Sequence, residues 1–206
     1  STRRRRRRLR SAPSRSASIG APHTKRSKEK IIHTLGLFKE VIKKRKYTFC
    51  VLQMAFAQAI LFGYIASSPF ILQQHYGFSP FAFSLFFGLN SLAIVTGAGI
   101  SVKFKRQETC IFISCGGMLL LSVLVCMALA AQASVWIFEG LLLLLLFTLG
   151  LTFTAGTTLA MENAREQAGT GSALLGAAGF LFGSIVSPLV GLGNILISTG
   201  ITFICC

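Results

Sequence analysis

The side chain best placed for chemistry is Glu139, the one ionisable group inside a long apolar run. Such a group is costly unless it can reach water or exchange a proton. Trp136 precedes it by about one helical turn, and tryptophan favours the boundary between lipid and water. Two interpretations stay open: an acid at the outer interface that reaches water, and a protonatable group at the mouth of an outward-facing cavity that couples protons to another process.

Uncharged polar side chains within the other apolar runs form a second candidate set. They could line a path for a substrate without needing a counter-ion, or they could hydrogen-bond between helices for stability alone. The bulky amides near mid-run are the stronger candidates for a path. The set is Gln58, Tyr64, Asn90 and Ser91.

Residue sets that would support enzyme catalysis or metal binding are missing from the sequence. It contains no Asp, six Cys and three His, and no CxxC or Cys/His ligand spacing. Cysteines in apolar runs behave as small hydrophobic residues, so we expect reduced thiols. The sequence therefore predicts neither an enzyme nor a bound metal or cofactor.

The distribution of charge indicates a membrane protein. Of the 206 residues, 52% are hydrophobic and 13% are charged, and the net charge is +15. Residues 1–46 hold 17 of the 21 Lys and Arg, and residues 47–206 are formally neutral. A water-soluble domain with so little charge outside its basic segment would be poorly soluble.

The lengths of the charge-free stretches predict the membrane helices. About 20 residues cross a bilayer, so the stretches 47–102 and 167–206 must each turn back. The last predicted helix is too short to span, and the sequence begins at Ser1 rather than Met; we expect a piece of a longer protein. The predicted helices are 48–72, 80–102, 109–131, 135–160, 169–192 and 194–206.

The basic residues predict the orientation, because Lys and Arg resist translocation across the membrane. All 21 fall in the segment 1–46, the loop 103–106 or at Arg165, which alternate helices place on one side. We expect that side to be the cytoplasm.

The basic start of the chain divides into two segments. Residues 1–30 predict a disordered cytoplasmic segment held near anionic lipid headgroups. Binding to nucleic acid and an organelle transit peptide are alternatives, although no aromatic residue is interleaved with the arginines and we expect no nucleic-acid partner. Residues 31–46 predict an amphipathic helix in the membrane interface.

Glycine and proline positions predict close helix packing and kinks. Gly179 and Gly183 form a GxxxG pattern, which favours close approach of a second helix, and Gly176 precedes them. Pro69 and Pro188 lack a backbone N–H and should kink the outer ends of their helices. Static packing and rocking between two states are both compatible with this pattern.

Several runs resemble the Bcr/CflA drug-resistance transporters of the major facilitator superfamily. The runs GYIASSPFIL at 63–72, YGFSP at 76–80 and FSLFFGLN at 83–90 are similar to the seventh and eighth of that family's twelve helices. The run AGTGSALLG at 168–176 is similar to the entry to helix eleven. The resemblance covers roughly residues 31–206.

The resemblance implies an all-α membrane protein, the C-terminal six-helix half of a major facilitator bundle with its last helix truncated. It also implies a location in the bacterial inner membrane and export of small hydrophobic drugs, such as chloramphenicol or bicyclomycin, by proton antiport. The implied partners are the lipid bilayer, a drug, protons and the missing N-terminal half, without which we expect no transport. A non-transporting membrane anchor or assembly protein, with a basic tail that binds a partner or nucleic acid, remains the alternative.

Overall fold

A computed structural model describes residues 39–191 and 195–205 of the chain. The predictions for residues 1–38, which include the basic segment and the first half of the interfacial helix, lie outside this part. The described residues form helices and short connections, with no strand among them. The fold is therefore all-α, as the charge-free stretches predict.

Six helices are labelled here in chain order. Five of them are long and apolar enough to cross a membrane, whereas the last spans only 11 residues. They are α1 (Arg45–Pro69), α2 (Pro80–Ser101), α3 (Gln107–Ala130), α4 (Val135–Asn163), α5 (Ala168–Val190) and α6 (Ile195–Cys205).

The chain enters α1 through a break at Lys44. Residues 39–43 are helical, but Lys44 has extended backbone angles (φ −74°, ψ 98°) before α1 begins. Val41 is buried against the bundle, whereas its neighbour Ile42 is exposed. The described end of the predicted interfacial helix thus packs on the protein as a separate short turn.

The first membrane helix continues beyond Pro69 as a π-helical segment, Phe70–His75. Proline cannot donate to the preceding turn, and wider π turns are a known response to such interruptions. The backbone N–H of Tyr76 donates to the carbonyl of Ile71 at 3.1 Å, five residues back. Pro69 therefore changes the helical register, and the turn begins after His75 rather than after residue 72.

The start of α2 follows from its first two residues. The hydroxyl of Ser79 accepts a hydrogen bond from the N–H of Ala82 at 3.2 Å, which satisfies one of the free donors of the first turn. Pro80 follows at the first helical position, where its missing N–H costs nothing.

Helices α1 and α4 form the centre of the bundle. α4 packs against α1, α2 and α3, whereas α2 packs chiefly on α4 and α5 packs chiefly on α1. α6 lies against α3 and α1. The helices α2 and α5 are consequently the outer members of this arrangement and expose most of their apolar side chains.

The contact between α2 and α4 is a backbone crossing at two glycines. A Cβ at Gly97 would collide with the carbonyl oxygen of Phe147, and a Cβ at Gly150 would collide with that of Ile94. Only glycine lets the two backbones approach this closely.

The GxxxG pattern of α5 lies against α1. A Cβ at Gly179 would stand 3.2 Å from Cγ of Gln58, and one at Gly183 would overlap the ring of Phe62. A Cβ at Gly176 would meet nothing within 4 Å, so this third glycine lies beside the packed stripe. Pro188 lies inside α5, which continues for two more residues to Val190.

The turns gather at two ends of the bundle. At one end, Tyr76 hydrogen-bonds to Ala133 and so joins the turn after the first helix to the turn before α4. At the other, Lys44 pairs with Glu166 at 3.7 Å, and Gln167 donates to Glu40 at 2.8 Å. Every Lys and Arg that the structure describes belongs to the second end or to the loop 102–106. Because successive helices run in opposite directions, this loop lies at the same end of the bundle.

Candidate functional site

Three of the polar residues predicted from the sequence form one buried cluster between three helices. Tyr64 comes from α1, Asn90 from α2 and Glu139 from α4. The Asn90 side-chain N–H₂ donates to Oε1 of Glu139 at 2.7 Å and to the hydroxyl of Tyr64 at 3.1 Å. We refer to these three residues as the polar cluster.

Burial of the polar cluster is nearly complete. The exposed fractions are 3% for Tyr64, 0% for Asn90 and 3% for Glu139. Glu139 lies one helical turn into α4, about 6 Å along the helix axis from Val135, but neighbouring helices cover it. The structure therefore places Glu139 inside the bundle rather than at an interface where it reaches water.

Two acceptor atoms of the polar cluster have no hydrogen-bond partner. These are Oδ1 of Asn90 and Oε2 of Glu139, and both are inaccessible to solvent. Unpaired buried acceptors cost free energy, commonly about 1–3 kcal/mol each. A hydrogen on Oε2 of Glu139 would supply the cluster with a donor that it lacks.

The charge state of Glu139 is not balanced by a neighbouring cation. No Lys or Arg in the described ranges lies within ion-pair distance of its carboxylate. The groups that face it are the amide of Asn90 from α2 and, through that amide, the hydroxyl of Tyr64 from α1. An ionised carboxylate in these surroundings would be unpaired, which is costly inside a protein or a membrane.

Aromatic rings surround the polar cluster on the side of the outer turns. Phe87 stacks on Tyr64 with ring centroids 5.8 Å apart, and Phe83 contacts Phe87 at the same separation. On α4, Phe138 stacks on Tyr76 at 6.2 Å. Rings without polar atoms thus separate the cluster from the turn at 76–79, with Tyr76 as the polar member at its edge.

The other two predicted path residues lie outside the polar cluster. Gln58 is half-buried on α1 beside Gly179 of α5. Ser91 is exposed, and its hydroxyl donates to the carbonyl of Phe87 in its own helix at 2.8 Å. The structure brings Tyr64, Asn90 and Glu139 together and leaves Gln58 and Ser91 apart from them.

A separate cavity of about 280 Å³ lies between α1, α3, α4 and α6. Its wall is mostly apolar, and Phe49 and Leu119 at its edge are exposed. Gln53 is a polar exception whose N–H₂ contacts the sulfur of Cys115, while its Oε1 is buried without a partner. No residue of the polar cluster lines this cavity.

Metal ligation has no candidate in the described ranges, where no three His, Cys, Asp or Glu side chains are grouped. The described cysteines are free thiols.

Sequence reasoning missed the crossing of Gly97 with Gly150 and the pairing of Gln53 with Cys115. Gly97 lies in a run of small residues and Gly150 between two leucines, but nothing in the spacing pairs one with the other. The same holds for Gln53, since an amide in a helix does not reveal which neighbouring helix it faces.

Comparison with known proteins identifies the family. Residues 3–188 match the profile of the Major Facilitator Superfamily. Over 177 residues the chain is 35% identical to an uncharacterised MFS-type transporter, YdgK, of Bacillus subtilis (strain 168). The match covers 79% of this chain and 40% of that protein, so the chain spans less than half the length of this relative.

No solved structure matches the chain significantly. The apolar helices and the family match together describe a multi-pass membrane protein with part of a transporter's helical bundle. The chain belongs to the major facilitator superfamily.

Proposed function

We propose that this chain is the C-terminal six-helix half of a Bcr/CflA-type transporter, which exports small hydrophobic drugs in exchange for protons. Membership of the superfamily supports transport in general. The resemblance of the runs at 63–90 and 168–176 to Bcr/CflA transporters supports the narrower assignment, with bicyclomycin or chloramphenicol as representative substrates.

The observation that carries the proton-coupled mechanism is the burial of Glu139 without a cation beside it. A carboxyl group in this position is uncharged when it holds a proton and carries an unpaired charge when it does not. Because the ionised state has the higher free energy in this position, loss of the proton favours a conformational change of the bundle. Glu139 is the proposed proton carrier.

The substrate path is proposed to run along the helices that contribute the polar cluster. In transporters built from repeats, the substrate site lies at the interface between the two repeats. Tyr64 and Asn90 are the proposed polar contacts, with Gln58 and Ser91 lining the path farther along. The N-terminal half of the transporter would supply the facing wall, and the lipid bilayer would surround both halves.

The proposed location is the bacterial inner membrane, with residues 1–46 and the loop 102–106 in the cytoplasm. Segregation of the basic residues to one end of the bundle supports this orientation. The polar cluster then lies nearer the outer side, from which protons enter during export.

Transport by the complete product of the gene tests this function. Inverted membrane vesicles that contain it should accumulate chloramphenicol or bicyclomycin when a proton gradient is imposed, and drug addition should release protons. Glu139→Gln removes the titrating group and should lower the proton-driven component of drug accumulation by tenfold or more.

The matched control is Glu162→Gln, since Glu162 lies on the same helix but is exposed at its far end. It should transport as the parent does. Equal losses in both variants would contradict the role of Glu139. An absence of drug-dependent proton movement in the parent would contradict the transport function and favour an anchoring or assembly role.

A further inference from the structure

The two unpartnered acceptors of the polar cluster belong to the two groups that already share its shortest hydrogen bond. Asn90 donates from Nδ2 to Oε1 of Glu139 at 2.7 Å, which leaves Oδ1 on the same amide and Oε2 on the same carboxyl. A carboxamide and a carboxylic acid are complementary planar groups. When they pair through one N–H···O bond, the second oxygen of the acid and the carbonyl of the amide can share the acid's hydrogen.

We infer that Asn90 and Glu139 form a two-bond acid–amide pair when Glu139 is protonated, and that loss of the proton opens this pair. In the closed form, Nδ2 donates to Oε1 and the Oε2–H group donates to Oδ1. Asn90 is a positioning residue: it orients the acid and links the presence of the proton to the contact between α2 and α4.

The hydrogen-bond inventory of the polar cluster agrees with this pair. One N–H of the Asn90 amide is directed to Glu139 and the other to Tyr64. With a hydrogen on Oε2, both buried acceptors gain a partner and no atom of the Asn90 amide remains unpaired. Without it, Oε2 and Oδ1 both remain buried acceptors without a donor.

Loss of the proton is expected to act on α2 in particular. α2 packs chiefly on α4 and has few other buried contacts. Its second attachment is the crossing at Gly97 and Gly150, seven residues further along α2, which is about 10 Å. Opening the acid–amide pair therefore removes the polar contact of α2 with α4, while the glycine crossing remains as a point about which α2 can tilt.

Among the groups that face Glu139, the pair of Asn90 with Glu139 is the pH-sensitive element. Asn90 does not titrate, and Tyr64 is the titratable neighbour contributed by α1. No charged side chain of α2 or α3 in the described ranges lies near it, since Glu108 is at the opposite end of α3. On deprotonation the proton passes to water, and no other reactant is needed.

Infrared spectroscopy of the purified full chain in lipid tests the pair directly. A protonated carboxyl has a C=O stretching band that is absent from Glu139→Gln, so the difference between parent and variant at neutral pH should contain this band. Asn90→Leu should shift or remove the band, because the acid then loses its amide partner. Thr96→Val is the matched control on α2, since Thr96 bonds only to the carbonyl of Ala93 in its own helix.

A swap of the two groups separates pairing from mere packing. Glu139→Gln keeps two hydrogen bonds, because a glutamine amide can replace the acid, and its thermal midpoint should not change between pH 5 and 9. Asn90→Asp combined with Glu139→Gln restores an acid–amide pair with the acid on α2. This double variant should regain the parent's fall in thermal midpoint as pH rises. It should also be more stable than Asn90→Leu, in which Glu139 stays buried without an amide partner.

Three results would overturn the inference: no carboxylic acid band at neutral pH, a band unmoved by Asn90→Leu, or a double variant less stable than both single variants. The inference rests on the proposed function only in taking Glu139 as the group that holds a proton. Failed drug transport with an intact, Asn90-dependent band would reject the proposed transport and uphold the pair. Normal transport without the band would uphold the proposed transport and reject the pair.

Discussion

The hydroxyl of Tyr76 lies 2.9 Å from the backbone oxygen of Ala133 and donates a hydrogen bond to it. This bond joins the turn that ends the first membrane helix to the turn that precedes α4. Burial raises the pKa of the Tyr76 phenol above its ordinary value, so the group remains a hydrogen-bond donor throughout the physiological pH range. The two turns that close the aromatic side of the polar cluster are thereby held together.

Replacing Tyr76 with Phe is expected to destabilise the outer turns by about 1 kcal/mol. The ring stack with Phe138 is retained in this variant, so the loss comes from the hydrogen bond alone. Thermal unfolding in detergent measures it. Ser84→Ala is the control, because the hydroxyl of Ser84 is exposed and bonds to its own helix; equal effects of the two changes would show that the bond to Ala133 contributes nothing.

Replacing Gly97 with Ala is expected to separate α2 from α4. The added methyl group would collide with the Phe147 carbonyl, a backbone atom that cannot rotate away. Overpacking of this kind costs about 1–3 kcal/mol, measured as a lower thermal midpoint and as weaker protection of α2 amides from hydrogen exchange.

The matched control for that change is Gly99→Ala. Gly99 lies on the same helix with nothing within 4 Å of its added Cβ, and alanine favours helix over glycine by about 1 kcal/mol. Gly99→Ala should therefore leave stability unchanged or increase it. Destabilisation by Gly99→Ala as large as that by Gly97→Ala would contradict the close backbone crossing.

The helices and the acid were predictable from the sequence, because both depend on local composition. Charge-free stretches of known length predict apolar helices, and a single acid within such a stretch is visible without a structure. Glu139 was nevertheless left between two interpretations. Its distance from Trp136 gives its position along α4 but not which neighbouring helix covers it.

The partners of Glu139 were not predictable, because they come from two other helices. Tyr64, Asn90 and Glu139 were all candidates, yet their roles were assigned separately, as path and as proton site. Their meeting depends on the rotation of each helix about its axis, which is decided by packing at Gly97 and Gly150. The register change after Pro69 likewise depends on the wider turn that follows it.

Tyr47→Phe tests the packing at the basic end of the bundle. The Tyr47 side chain is fully buried, and its hydroxyl donates to the Gly171 carbonyl of α5 at 2.7 Å. Losing this bond should cost about 1 kcal/mol. The ion pair of Lys44 with Glu166 is close by but exposed, so Lys44→Met should change stability by less than about 0.5 kcal/mol.

Denaturant titrations of both variants in the same detergent compare these effects. If Lys44→Met lowered the free energy of unfolding more than Tyr47→Phe does, the exposed ion pair rather than the buried hydroxyl would be the main stabilising contact at this end of the bundle.

The proposed orientation predicts which turns can be labelled from outside an intact cell. Lys and Arg resist translocation, so the loop 102–106 should face the cytoplasm and the turn at 131–134 should face outward. A membrane-impermeant thiol reagent should therefore label Ser134→Cys in intact cells and label Lys105→Cys only after the cells are permeabilised. Both residues are exposed and lie outside the helices, so neither change disturbs the bundle.

The parent chain, with its native cysteines, supplies the background for this experiment. Labelling of Lys105→Cys before permeabilisation, with Ser134→Cys protected, would reverse the orientation. The polar cluster lies nearer the 131–134 turn, so a reversed orientation would also place the cluster nearer the cytoplasmic side. Protons would then enter the cluster from the cytoplasm, and the direction of exchange proposed for Glu139 would reverse with it.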